Sequence, residues 1–287
     1  MSIQNNYIDK VFVLASRKDF PILKYSLPLI RKHIRGKSFF LVHEIYDNDF
    51  YLSKNHELFG FKLIEEFSVL GDEYKKIKKI KNKSLLNWYK QQIVKLKLIE
   101  SCKKDEIVLI WDGDTIPLKS LNFLKNSSLG YYTSSEFHQP YYSSIKKLLG
   151  LTKTSNFSFI AQCFVVKVSW VKLMLRTIEF RNKCSYIDVI IKIANSSKLQ
   201  NFSEYETMAT FIQKYFFFDT FIIGNNWFRY GFSLFSNPSS ILFQASNYDF
   251  VSFESWDRSW LKSVVIKMIH IHYFFILLFK KIRKHSL

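Results

Sequence analysis

Apolar residues along this chain keep two rhythms, and the alternation between them sets the expected fold. A short run over residues 11–15 is rich in β-branched and aliphatic side chains and predicts a first strand, closed by the polar turn Ser16-Arg17-Lys18-Asp19. Residues 20–33 then change to a helical period, with Pro21 suited to the first turn. Residues 38–43 predict a second strand and residues 61–67 a third. Residues 84–100 make the strongest helix, with Leu85, Tyr89, Ile93 and Leu96 on one face. Residues 107–111, Ile-Val-Leu-Ile-Trp, form an uninterrupted apolar run expected of a buried strand in a parallel sheet.

Beyond that strand, the pattern predicts a short helix over 118–129, a strand from 130 to 133 and a polar, aromatic loop over 141–156. It continues with a strand over 157–168, a helix over 169–181, and a helix carrying Met208, Phe211 and Ile212. The basic stretch 75–83 and the aromatic stretch 222–243 read as loops. Strands alternating with helices argue for an α/β fold: a mixed, mainly parallel sheet flanked by helices. One domain is expected over 1–260, followed by a basic amphipathic tail over 261–287.

Composition narrows the class. Hydrophobic residues make up 48% of the 287-residue chain, enough for a substantial core and too many for a disordered protein. The net charge is +18, gathered mainly at 75–83 and in the tail. That distribution suits anionic lipid surfaces and diphosphate-bearing substrates; no nucleic-acid partner is expected, because no Arg-rich stripe with stacking aromatics is present. The three cysteines, Cys102, Cys163 and Cys184, are too far apart for a short-spaced zinc or redox motif. Residues 1–10 are polar with no signal-peptide pattern, which points to the cytoplasm.

The strongest chemical signal ends the 107–111 strand. Asp112-Gly113-Asp114 places two carboxylates on one side of an extended segment, and Pro117 then stops the ladder. Ligands of open α/β sheets dock beyond the carboxyl ends of strands, and hard ions such as Mn2+ or Mg2+ favour carboxylate and phosphate oxygens. Gly113 lets the backbone turn and a ligand approach closely.

Other candidates are weaker. Trp88, Gln91, Gln92 and Lys95 form a polar stripe at offsets of three, four and seven, fit either for a nucleotide-sugar or for a polar helix shoulder. Gln162 lies inside an apolar run and implies a hydrogen bond, to protein or to ligand. Ser203 and Glu206 match a capping box, which leaves Glu204 as the first choice for a general base and Glu206 as the second. Asn225, Asn226, Trp227, Arg229 and Tyr230 suit a sugar platform or an ordinary loop. In the tail, residues 269–279 are apolar but shorter than the about 20 residues needed to span a bilayer. Lys280, Lys281, Arg283 and Lys284 follow, a pattern of interfacial anchoring to an anionic membrane. His270 or His272 is the candidate for a further metal ligand.

Together these residues resemble a GT-A fold glycosyltransferase, in which a DxD motif holds a divalent ion against a nucleotide-sugar diphosphate. More narrowly, the order of Trp88-Tyr89, Gln91-Gln92 and Lys95-Leu96, then Asp112-Gly113-Asp114, then Ser203-Glu204-Tyr205-Glu206 resembles a bacterial family of small glycosyltransferases from surface-polysaccharide gene clusters. The resemblance implies a Rossmann-like sheet and a nucleoside-diphosphate-sugar donor. It places Ala15, Ser16 and Arg17 near the nucleotide, and the Ser-Glu-Tyr-Glu segment on the acceptor side. It also implies an oligosaccharide acceptor, lipid-linked, reached from the inner face of the membrane. With Glu204 as base the transfer would be inverting. Two other classes compete: a DxD phosphohydrolase or phosphotransferase with an aspartyl nucleophile, and a basic membrane-surface or nucleic-acid-binding protein without catalysis.

Overall fold

The structure is a computed structural model, and it describes residues 7–44, 59–235, 237–242 and 247–257. The expected tail, with His270 and His272, lies outside the described residues. The central sheet has five strands: β1 (Ile8–Ala15), β2 (Gly36–His43), β3 (Lys62–Glu65), β4 (Ile107–Asp112) and β8 (Cys163–Lys167), in the order β3-β2-β1-β4-β8. The first four run parallel and β8 is antiparallel to β4. Val11, Val13, Leu41, Val108, Leu109, Ile110 and Trp111 are all inaccessible to solvent, as expected of strands covered on both faces.

Helices α1 (Phe20–His33), α2 (Glu66–Leu70), α3 (Glu73–Ile77), α4 (Lys83–Ser101), α5 (Gln139–Leu149), α6 (Val168–Asn182), α7 (Tyr186–Asn195) and α8 (Glu204–Tyr215) flank the sheet. Helix α1 falls where the periodicity places it, and α4 extends the expected span by one residue at each end. Two small sheets complete the fold. One joins β10 (Trp227–Phe228), β11 (Phe250–Ser252) and β5 (Thr115–Pro117); the other joins β6 (Leu124–Lys125), β7 (Ser128–Tyr132) and β9 (Thr220–Gly224).

Four expectations are corrected. Residues 118–129 hold no helix: Asn126 and Ser127 adopt positive φ (50° and 67°) and make a tight hairpin between β6 and β7. Residues 141–156 are not a loop throughout, because α5 buries Tyr141, Ser144, Ile145, Leu148 and Leu149 at helical spacing, and Gly150 closes it in the left-handed conformation. The strand expected over 157–168 begins only at Cys163, since Gln162 has φ 61° and breaks the extended run. The basic stretch 75–83 is not a loop throughout: residues 75–77 close helix α3, with Ile77 buried, and Lys83 opens α4.

Candidate active site

The sheet order reverses direction between β1 and β4: β2 and β3 lie to one side of β1, and β4 to the other. Their register pairs Leu14 with Asp112. The carboxyl ends of β1 and β4 therefore flank a topological switch point, the crevice where open α/β sheets hold ligands. Ala15, Ser16 and Arg17 leave one lip, and Asp112, Gly113 and Asp114 leave the other. The amide of Gly113 donates to Leu14 O at 2.7 Å, and Ser26 Oγ donates to Gly113 O at 3.0 Å. A Cβ at 113 would stand 2.9 Å from both Ala15 Cβ and Leu14 O. The glycine is thus required by the approach of β1, a reason different from ligand access.

Asp112 is held from behind. Its Oδ1 lies 2.8 Å from Lys95 Nζ and accepts from Tyr205 OH at 3.4 Å. Lys95 is wholly enclosed; it also reaches Glu204 Oε1 at 2.9 Å and Tyr205 OH at 3.0 Å, and lies over the Tyr205 ring at 4.2 Å from its centroid. Burial opposes the ammonium charge, but Asp112 and Glu204 outweigh it and hold the Lys95 pKa well above the usual value. Gln92 Oε1 accepts from the Glu204 amide at 3.0 Å, satisfying one of the free donors at the start of α8, while its Nε2 is buried without a hydrogen bond. Trp88 stacks on Tyr141, and Gln91 is half-buried. The stripe on α4 thus divides: Gln92 and Lys95 serve the site from within, and Trp88 packs on α5.

Asp114 is also buried, its Oδ1 within 3.3 Å of Thr115 Oγ1 and 3.4 Å of Ser252 Oγ. Burial first, then the neighbouring charges of Glu254, Asp19 and Asp112, push its carboxyl well above the ordinary range. Asp19 accepts from Ser16 N at 2.8 Å and Ser16 Oγ at 2.6 Å, so the Ser16 hydroxyl is engaged within its own turn. Burial raises the Asp19 carboxyl too. Glu254 accepts from Gln162 Nε2 at 2.7 Å, Arg229 Nε at 3.2 Å and Trp256 Nε1 at 2.9 Å; Arg229 also pairs with Glu136. Gln162 further supplies its carbonyl to the Asp112 amide at 2.9 Å. Of the residues in the 222–243 stretch, Arg229 reaches this network; Trp227 instead donates to Thr133 O from a buried position.

Among the described residues, each aspartate of the pair is bonded through Oδ1, and Oδ2 of both accepts no hydrogen bond. Two carboxylate oxygens left over, one of them on Asp114, whose neighbouring carboxylates disfavour its ionised form, fit a hard divalent cation. No group of three or more His, Cys, Asp and Glu side chains close enough to hold an ion occurs among the described residues.

Glu204 and Glu206 have different surroundings. Glu204 is buried against Lys95. Glu206 gives its amide to Ser203 Oγ at 3.3 Å, but its carboxylate turns away from the cap and binds Ser158 Oγ, Phe159 N at 2.9 Å and Lys153 Nζ at 2.9 Å. It pins the segment before β8 and stands apart from the Asp112 group. A further buried charge group escaped the sequence reading: Lys90 on α4 meets Glu66 at 2.9 Å and Glu44, at the carboxyl ends of β3 and β2. Its sequence signal is a lysine beside Tyr89 on the apolar side of α4.

Fold and site together define an α/β protein with a cluster of acidic side chains at the switch point of its sheet. The chain belongs to the family of unknown function DUF6492, whose model matches residues 18–269. No curated protein sequence matches it. Among solved structures, it is similar to mouse xyloside xylosyltransferase 1 in the apo form, at TM-score 0.48 and 10% identity over 87% of this chain and 98% of that one. It is also similar to the galactosyltransferase LgtC in complex with donor and acceptor sugar analogues, at 0.45 and 12% over 85% and 86%. Core-mannan synthase A from Aspergillus fumigatus in its Mn/GDP form gives 0.46 and 8% over 77% and 73%.

Proposed function

We propose that this protein is a metal-dependent glycosyltransferase that moves a sugar from a nucleoside-diphosphate-sugar to a saccharide acceptor. The observation that carries the proposal is the aspartate pair at the β1/β4 switch point, tied back through Oδ1 and leaving Oδ2 of both residues for a cation. The order of motifs around Asp112-Gly113-Asp114, which resembles the GT-A families, supports it.

In this reading Asp112 and Asp114 hold Mn2+ or Mg2+, which supplies electrostatic relief for the charge that builds on the departing nucleoside diphosphate. Lys95 orients Asp112. Ala15, Ser16 and Arg17 border the same crevice from β1 and bind the nucleotide side. Glu204 is the proposed base for the acceptor hydroxyl, and inversion rests on it. Glu204 Oε1 is occupied by the Lys95 ammonium at 2.9 Å, so this role requires Glu204 to leave Lys95 when both substrates are bound. The wider setting we propose is surface-polysaccharide assembly, with a lipid-linked oligosaccharide acceptor. The protein would then sit peripherally on the anionic inner face of the cytoplasmic membrane, in keeping with its net charge of +18. No helix among the described residues is long and apolar enough to cross a membrane.

A panel of nucleotide-sugars, each with and without Mn2+, tests the proposal by thermal shift, because a ligand that binds only the native state raises the melting temperature. A shift that needs both Mn2+ and one donor, and that is absent in Asp112→Ala, is expected. No shift with any donor, or turnover of a generic phosphoester instead, overturns it.

A further inference from the structure

The turn after α8 is built against the usual logic of a soluble surface. The chain leaves the helix as Tyr215-Phe216-Phe217-Phe218-Asp219, and the 3-10 turn Phe217–Asp219 presents its aromatics outward. Phe218 is 95% exposed, Phe217 58% and Tyr215 55%. Single exposed apolar residues are ordinary; three neighbouring aromatics are an interaction feature. The turn is also braced. Phe216 stacks on Trp170 at 4.6 Å between centroids, Thr220 Oγ1 donates to Phe217 O at 2.7 Å, and Gln213 Nε2 donates to Thr220 Oγ1 at 3.2 Å.

The surroundings are cationic. Lys214 is exposed on the last turn of α8, and Lys167 Nζ lies 4.8 Å over the Trp170 ring that backs Phe216. Strand β7 pairs Leu129 with Thr220, which brings the β6–β7 hairpin and its exposed Lys125 to the same end of that small sheet. Asp219 is the acidic residue of the turn itself.

We infer that the Phe217–Phe218 turn is a membrane-docking tip that inserts its aromatics at the boundary of an anionic bilayer while the flanking lysines meet headgroups. Charge complementarity selects this occupant: a chain of net charge +18 repels a second copy of itself and is drawn to an anionic surface. Shape argues the same way. A side chain left 95% exposed has almost nothing packed around it, so the tip is convex and suits insertion into a soft boundary. This goes beyond the membrane location proposed above, taking from it the kind of partner and assigning the contact to the folded domain.

The test is co-sedimentation of the full chain with vesicles of phosphatidylcholine, with and without phosphatidylglycerol, across a salt series. The comparison is the double variant Phe217→Ser/Phe218→Ser, which removes exposed side chains and should melt as the wild type does. Binding to the phosphatidylglycerol vesicles that weakens with salt, and that drops about tenfold or more in the double variant, is expected. Equal binding of both proteins sinks the tip while leaving the membrane location intact. No binding by the wild type removes both. If the variant instead loses self-association in gel filtration, or loses binding to a single-stranded oligonucleotide, the tip belongs to another partner and the inference fails.

Discussion

Lys95 and Asp112 form a buried ion pair at 2.8 Å that joins α4 to the carboxyl end of β4, and Glu204 closes the group from the start of α8. Removing the ammonium leaves the buried Glu204 and the partly buried Asp112 as like charges without their shared partner. Lys95→Met should therefore lower stability by about 3–5 kcal/mol in urea unfolding, the range for breaking a buried pair from one side. Adding Glu204→Gln to that variant should restore part of the loss, since one uncompensated charge goes with it. Equal losses in the single and double variants would remove the coupling.

Asp114 predicts the pH response of the site. Its pKa in the folded protein is raised, chiefly by burial and then by Glu254, Asp19 and Asp112. A raised folded pKa contributes stability that is complete below the unfolded value of about 3.9 and is lost as pH climbs through the folded value. In EDTA the melting temperature should fall over that climb through the Asp114 term, and Asp114→Asn should flatten the fall. The upward shift caused by Mn2+ should grow with pH over the same range, because the ion has fewer protons to displace. A Mn2+ shift independent of pH would refute the assignment.

Gly113→Ala should cost about 1–3 kcal/mol, since the new methyl would stand 2.9 Å from Leu14 O and Ala15 Cβ. For a chain of 287 residues that amounts to a fall of roughly 2–5 °C in melting temperature, read by calorimetry. A neutral result would mean that β1 can yield, and that the approach of the two strands does not select the glycine.

Glu206→Gln separates architecture from chemistry. The carboxylate anchors Lys153, Ser158 and Phe159, so the variant should unfold about 1–3 kcal/mol more easily and be cut faster by protease within 153–162. Any transferase activity should fall no more than the folded fraction does. Full stability with lost turnover would return Glu206 to the catalytic candidates.

The legible parts of this molecule were local. The apolar run Ile107–Trp111 and the periods of α1 and α4 carry their own evidence, because burial on both faces of a strand or one face of a helix repeats within a few residues. Helix α5 carried the same kind of signal, Tyr141, Ile145, Leu148 and then Gly150, but polar Ser and Lys residues between them mask the period. The β6–β7 hairpin turned on Asn126 and Ser127, a weaker turn signal than Asn-Gly, and so read as helix. The partners of the charged residues were beyond reach. Nothing near Lys95 announces Glu204, and nothing near Glu206 announces Ser158; those contacts exist only after α8 packs against α4 and α5.

The enclosed ammonium of Lys95 has one more consequence. It neutralises Asp112 and Glu204 from inside the fold, so these acids can be buried before any ion arrives. Closing this part of the fold therefore does not depend on a bound cation. A divalent ion bound as proposed would then join a group already assembled, which owes its integrity to a lysine of its own chain and not to the supply of that ion.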